Sequence, residues 1–176
     1  MTQQSEYAVA VKSGTLDAVA TVPGSKSIAH RALICAALAR GESTISGLSD
    51  GDDTQAMLQG LMMLGTSISL NGADARVECS IDLDCMDAIT VDANLAGTTA
   101  RFLTAVGALR RGSITVTGNE SLRSRPMKDL HLALEQLGAS VAWQSEQYCL
   151  PVTVQRSESY SHAVQVAGDT SSQFVT

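Results

Sequence analysis

The sequence predicts an α+β fold made of repeated βαβαββ units, and three observations carry that reading. Strand-like and helix-like segments follow one another in the same order twice, glycines punctuate the same places in each round, and equivalent residues keep a nearly constant spacing. Ser27 and Thr98 stand 71 residues apart, as do Gly41 and Gly112, while Gly65 and Gly138 stand 73 apart.

The first unit opens with a short strand-like stretch at 18–22 and the loop Pro23-Gly24-Ser25-Lys26-Ser27. An Ala/Leu-rich helix over 28–40 is closed by Gly41. A strand over 43–46 leads to Asp52-Asp53-Thr54, acidic residues suited to a helix N-terminus, where they read as a solvated cap. The helix that follows stops at Gly65, and 67–70 with 76–80 read as a hairpin turning at Asn71-Gly72. The second unit repeats the order: a strand over 89–91, Gly97-Thr98 opening a helix to about Leu109, a strand over 114–117, a helix over 127–137, and two strands reaching Val154. A third unit opens with strand-like 163–166, and Ser171 lies 73 residues after Thr98. A helix begun there and ended at Thr176 cannot bury an apolar face or satisfy its own carbonyls, so the pattern predicts a piece of a longer protein. The unit boundaries read as about 23–82, 83–156 and 157–176, the last truncated; residues 1–22 read as an edge segment whose partner strands lie elsewhere.

Composition narrows the function. The chain has 176 residues, 44% hydrophobic and 17% charged, and a formal net charge of −6. That balance argues against a general nucleic-acid or anionic-membrane surface, so any anion site must be local. The N-terminus has no signal-peptide pattern and no stretch approaches the ~18 apolar residues of a membrane span, which predicts a cytoplasmic protein. Cys35, Cys79, Cys85 and Cys149 form no CxxC pair, and His30, His131 and His162 lack metal-ligand spacing, so neither zinc nor a disulfide framework is expected. Cys35, in an apolar helical run, reads as a buried structural thiol, and Trp143 as packing.

The polar residues gather at helix starts. Each unit places hydroxyl or glycine residues at the start of its first helix: Gly24-Ser25-Lys26-Ser27, Gly97-Thr98-Thr99 and Asp169-Thr170-Ser171-Ser172. Free backbone N–H groups and the positive end of the helix dipole make such starts natural seats for phosphate or carboxylate. Lys26 and Arg31 flank the first, Arg101 follows the second, and Arg123 and Arg125 precede the next helix. Serine and threonine are also ordinary helix caps, Arg31 and Arg101 could serve as salt-bridge partners, and Arg40, Arg110 and Arg111 read as helix-dipole partners. The residues alone therefore leave capping and anion binding both open. The loop at 23–27 lacks the first glycine of a nucleotide P-loop and has Ser25 where the second would precede Lys26, which argues against ATP.

Four ordered motifs carry a resemblance: Pro23-Gly24-Ser25-Lys26-Ser27-Ile28-Ala29-His30-Arg31, Leu95-Ala96-Gly97-Thr98-Thr99-Ala100-Arg101-Phe102, Arg123-Ser124-Arg125-Pro126-Met127-Lys128-Asp129-Leu130 and Ser171-Ser172-Gln173-Phe174. Together they resemble the 3-phosphoshikimate 1-carboxyvinyltransferase (5-enolpyruvylshikimate-3-phosphate synthase) family. The resemblance implies a lobe of the enolpyruvyl transferase type, an inside-out α/β barrel, with two complete units and the start of a third in 23–176. Residues 1–22 would belong to the other lobe. It implies shikimate 3-phosphate contacts at Lys26, Ser27, Arg31, Ser171, Ser172 and Gln173. Phosphoenolpyruvate contacts are implied at Lys26, Gly97, Arg125 and Gln173, with Lys26 also a candidate for proton transfer and Arg101 supporting.

The implied reaction moves the enolpyruvyl group of phosphoenolpyruvate to the 5-hydroxyl of shikimate 3-phosphate and releases phosphate, with no metal and no organic cofactor. This is a step toward chorismate and the aromatic amino acids. The family's principal acid/base carboxylates lie in the second lobe, so the chain by itself is expected to be inactive. One departure stands out: Leu95 replaces an asparagine common in the family, and no ligand contact is assigned there. Two rivals are a UDP-N-acetylglucosamine enolpyruvyl transferase, which resembles Lys-Asn where this chain has Lys26-Ser27, and a non-catalytic anion-binding module.

Overall fold

The structure, a computed structural model, describes residues 8, 13–159, 161–166 and 172–175. Among them the chain runs α1 (Lys26–Leu38), β1 (Ser43–Ile45), α2 (Asp52–Met63), β2 (Ile68–Asn71) and β3 (Asp74–Val77). It continues through β4 (Ile89–Asp92), α3 (Gly97–Gly107), β5 (Ile114–Thr117), the short α4 (Glu120–Arg123), α5 (Lys128–Gln136), β6 (Ser140–Trp143) and β7 (Val152–Gln155), with a 3₁₀ turn at Ser172–Phe174. The second unit thus has the expected order, with α4 inserted before α5.

The strands form two sheets, one per unit. β1, β3 and β2 make an antiparallel sheet in that order. The other has the order β4-β5-β7-β6, with β4 parallel to β5 and the remaining pairs antiparallel. Period-2 alternation explains how the second sheet covers the helices: Ile114 and Val116 of β5 and Val152 and Val154 of β7 are buried. On the opposite face the Thr115 and Thr153 hydroxyls are hydrogen-bonded at 2.8 Å.

The repeat is visible in backbone chemistry as well as in order. α2 ends with Gly65 at φ +90, with Gly65 N–H donating to the Met62 carbonyl and Thr66 N–H to that of Leu61. α5 ends in the same way, with Gly138 at φ +96 and the bonds Gly138 to Glu135 and Ala139 to Leu134. This is the Schellman closure, whose left-handed residue favours glycine. The Gly41 and Gly112 landmarks match in position but not in cause. Gly41 has φ +89 with open space around it, whereas a Cβ at Gly112 would strike the Asp87 carbonyl.

Both units share one hydrophobic core, with Leu33 of α1, Met57 and Leu61 of α2, Leu103 of α3, and Ile114 and Val154 of the second sheet all fully buried. α2 of the first unit crosses onto the second at Gly60, where a Cβ would collide with Leu103 and lie 3.1 Å from Val91 Cγ1. The ~1 kcal/mol that a mid-helix glycine costs relative to alanine is the condition for this close approach.

Residues 18–22 form no ladder: Val19 is 99% exposed, and nothing pairs with the stretch among the described residues, as expected of an edge segment whose partner strands lie elsewhere. Several other expectations are corrected. The strand-like 163–166 is likewise unpaired in any sheet, although Gln165 exchanges backbone hydrogen bonds with the Gln136 side-chain amide. The hairpin turns one residue later than expected: Asn71 pairs with Asp74, and Gly72 (φ +60) takes the first loop position, where a type II′ turn accepts glycine. α1 and α3 end before Arg40, Arg110 and Arg111, so these are not last-turn dipole partners. Arg110 is instead buried with Nη1 donating to the Asp87 carbonyl, and Arg111 faces Asp84 at 3.2 Å. Cys35 is exposed, on the outer side of α1. No helix among the described residues is long and apolar enough to cross a membrane.

Candidate functional site

The position of the first helix start is set by backbone contacts. Leu48 N–H donates to the Ala73 carbonyl and Gly47 N–H to Asp74 Oδ1, tying the 47–48 loop to the hairpin tip. Gly24 packs its backbone against this loop so closely that a Cβ would collide with the Gly47 carbonyl. The glycine of the 23–27 loop is thus required by approach, and that approach fixes where α1 begins.

Three helix starts then converge. Lys26, first residue of α1, extends its ammonium to Asp53 in the first turn of α2, 2.5 Å from Oδ2. The Asp53 backbone carbonyl accepts a hydrogen bond from the Thr99 hydroxyl in the first turn of α3, at 3.3 Å. Asp53 therefore links the starts of α1, α2 and α3, a role that the solvated-cap reading of Asp52 and Asp53 missed. Of the N-cap residues of these three helices, Gly51 and Ala96 have no side-chain acceptor to offer, and Ser25, which has one, makes no capping bond. Asn119 of α4 does, accepting from Leu122 N–H at 3.0 Å.

A second cluster surrounds Gly97. A Cβ built there would lie 3.0 Å from Arg101 Nη1 and 3.8 Å from Arg125 Nη1, so both guanidiniums flank one point at the start of α3. No carboxylate lies within ion-pair distance of either among the described residues. Burial, and then the neighbouring Arg125 charge, lowers the pKa of Arg101 from its ordinary value. The Gln173 side chain meets this cluster from the 3₁₀ turn: its Oε1 accepts from Arg101 Nη1 at 2.6 Å, and its Nε2 donates to Thr98 Oγ1 at 2.8 Å.

Of the residues named from the sequence, Gly97, Arg125 and Gln173 thus come together, with Arg101 at their centre. Lys26 and Ser27 stand exposed at the adjacent α1 start. Arg31 lies one turn on, donating to the Ser27 carbonyl at 3.0 Å with its guanidinium 5.5 Å from the Phe102 ring centre. Ser171 lies outside the described residues, and Ser172 is described only as part of the 3₁₀ turn. Sequence reasoning missed Asp53 and gave Arg101 a supporting role without naming its partner; the partners of the two lie 27 and 72 residues away. It also passed over His30, which is fully buried beside this region with both ring nitrogens lacking a partner among the described residues. Burial lowers the His30 pKa below the usual imidazole value, which favours the neutral ring.

The chain as a whole is similar to known proteins. A sequence profile of the family described as EPSP synthase (3-phosphoshikimate 1-carboxyvinyltransferase) matches residues 11–176. Relatives named 3-phosphoshikimate 1-carboxyvinyltransferase from Shewanella denitrificans and Shewanella pealeana are each 38% identical, over 92% and 93% of this chain. The chain spans 38% of the length of each. A solved EPSP synthase from Acinetobacter baumannii shares the fold with a TM-score of 0.74 at 25% identity, over 88% of this chain and 35% of that one. A second structure of EPSP synthase from that organism gives 0.70 at 26% identity, over 80% of this chain and 32% of its own.

Proposed function

Because the chain belongs to the EPSP synthase (3-phosphoshikimate 1-carboxyvinyltransferase) family, we propose that its converging helix starts form one wall of a site for shikimate 3-phosphate and phosphoenolpyruvate. The observation that carries this reading is the pairing of uncapped starts at α1 and α3 with cations that lack a carboxylate of their own around Gly97. Arg101 is half-buried and Arg125 exposed, so their mutual repulsion is only partly screened by solvent, and an anion between them offsets it.

In this reading Lys26, Ser27, Arg31 and the 171–173 segment hold shikimate 3-phosphate, and Gly97, Arg125, Gln173 and Lys26 hold phosphoenolpyruvate. The 5-hydroxyl attacks C2 of phosphoenolpyruvate while the methylene carbon takes a proton; the tetrahedral adduct then loses a proton and inorganic phosphate to leave the enol ether. In this reading the residues on this wall orient two polyanions against each other and steady charge on the adduct, and Lys26 is the candidate to move a proton. We assign 23–176 to the substrate-binding lobe and 1–22 to the other, and turnover to the assembly of both. A metal or organic cofactor plays no part in this scheme.

Calorimetric titration with shikimate 3-phosphate tests the reading, with inorganic phosphate and UDP-N-acetylglucosamine as controls. Saturable binding that Lys26→Gln weakens is expected. A folded chain that takes the nucleotide sugar and ignores shikimate 3-phosphate would transfer the reading to the sister enolpyruvyl transferase. Binding without turnover after the rest of the relatives' length is supplied would make the chain a binding module.

A further inference from the structure

The hydrogen bond between Arg101 and Gln173 contains directional information. A guanidinium has five N–H donors and no acceptor. Because Arg101 Nη1 lies 2.6 Å from the side-chain amide of Gln173, that amide must turn its carbonyl oxygen toward Arg101; the flipped amide would set donor against donor. The amide nitrogen is thereby directed to Thr98 Oγ1, at 2.8 Å, and the Thr98 hydroxyl, having accepted this bond, keeps its own hydrogen to donate elsewhere. Arg101 is itself held in place. Its guanidinium lies 5.3 Å from the Phe174 ring centre, and its Nε is buried without a partner among the described residues.

We propose that Arg101 is a positioning residue: by fixing the Gln173 amide with its carbonyl turned inward, it makes the α3 start a surface of donors alone, selective for ligands that present only acceptors, such as an ionised phosphate or carboxylate. The inference rests on the assignment of Gly97 and Gln173 to the phosphoenolpyruvate site, and adds to it the reason that the amide has one orientation. A general positive charge would attract the same anions without fixing the amide, so the two roles separate experimentally.

The test combines the side-chain amide resonances of Gln173, assigned by their loss in Gln173→Glu, with titration of phosphoenolpyruvate in the presence of shikimate 3-phosphate. In Arg101→Met the Gln173 pair is expected to move to the position of solvent-exposed glutamines, and phosphoenolpyruvate affinity to fall about tenfold or more, as for loss of a charge-assisted contact. Arg101→Lys keeps a donor-only head and should preserve both signals. If the Met variant fails to fold, Arg101→Gln serves, since its head can donate or accept and frees the orientation. Variants that lose the arginine yet retain the wild-type Gln173 resonances and affinity would overturn the proposal. A wild-type chain whose Gln173 resonances respond to Arg101 but which binds no phosphoenolpyruvate would overturn the site assignment and the selectivity with it, leaving the orientation effect intact.

Discussion

Gly97→Ala separates stability from binding because the two should move in opposite directions. Gly97 opens α3, and its backbone is not in the left-handed region, so alanine is conformationally acceptable and should favour the helix, by less than the ~0.5–1 kcal/mol of a mid-helix position. The new methyl, however, enters the space between the two guanidiniums, 3.0 Å from Arg101 Nη1 and 3.8 Å from Arg125 Nη1. Arg101 cannot yield freely, since Gln173 and Phe174 hold it. An anion displaced by the methyl loses at least one charge-assisted hydrogen bond, about 1.5–3 kcal/mol, or roughly ten- to 150-fold in affinity. Titration of phosphoenolpyruvate with shikimate 3-phosphate present should report that loss, while shikimate 3-phosphate alone stays within about twofold and the unfolding midpoint holds or rises. Unchanged phosphoenolpyruvate affinity in the folded variant would refute the placement of the anion at Gly97. An equal loss for both ligands would refute the division of the site between the two helix starts.

Gly24→Ala should destabilise by about 1–3 kcal/mol in denaturant unfolding, because its Cβ meets the Gly47 backbone carbonyl, which has no rotamer to escape into; an unaltered midpoint would contradict the approach of the two loops. Asp53→Asn removes the carboxylate competing for Lys26 and should strengthen shikimate 3-phosphate binding about three- to tenfold, with less than about 1 kcal/mol change in stability. Weaker binding in that calorimetric titration would mean the pair prepares the site instead of competing with the ligand. Burial lowers the His131 pKa to about 4, below its unfolded value near 6.5, so the folded chain binds fewer protons. Its stabilising effect is complete above about pH 6.5 and is lost as pH falls toward 4, by at most about 3 kcal/mol. His131→Phe should flatten that part of the stability–pH curve, and an unchanged slope would assign it to other groups.

The repeat was legible because its punctuation is local: the closures at Gly65 and Gly138 depend on one left-handed residue and the turn before it, which sequence can specify. Gly97, Arg125 and Gln173 were legible through the resemblance, and the fold brings all three together around Arg101. What could not be read were matters of partnership. The pattern at 163–166 has strand composition, but ladder formation requires a neighbour, and none pairs with it in a sheet among the described residues. Asp53 followed by Thr54 looks like any acidic helix start; only the meeting of α1 with α2 makes it the counter-ion of Lys26. Cys35 lies in an apolar run, but α1 turns Leu33, Ala36 and Ala37 inward and leaves the thiol outside.

The crossing of α2 onto Leu103 and Val91 at Gly60 also bears on how the molecule comes apart. Solenoid repeats can melt one module at a time because each touches only its neighbours through a thin interface. Here a helix of the first repeat is seated in the interior of the second, so neither can open without uncovering the other's core. Amide protons of α2 and of β4 should therefore exchange with solvent through the same global opening, and a chain divided near residue 82 should yield two pieces that fail to protect either set. Periodicity written in the sequence here marks recurring architecture, while cooperativity belongs to the pair.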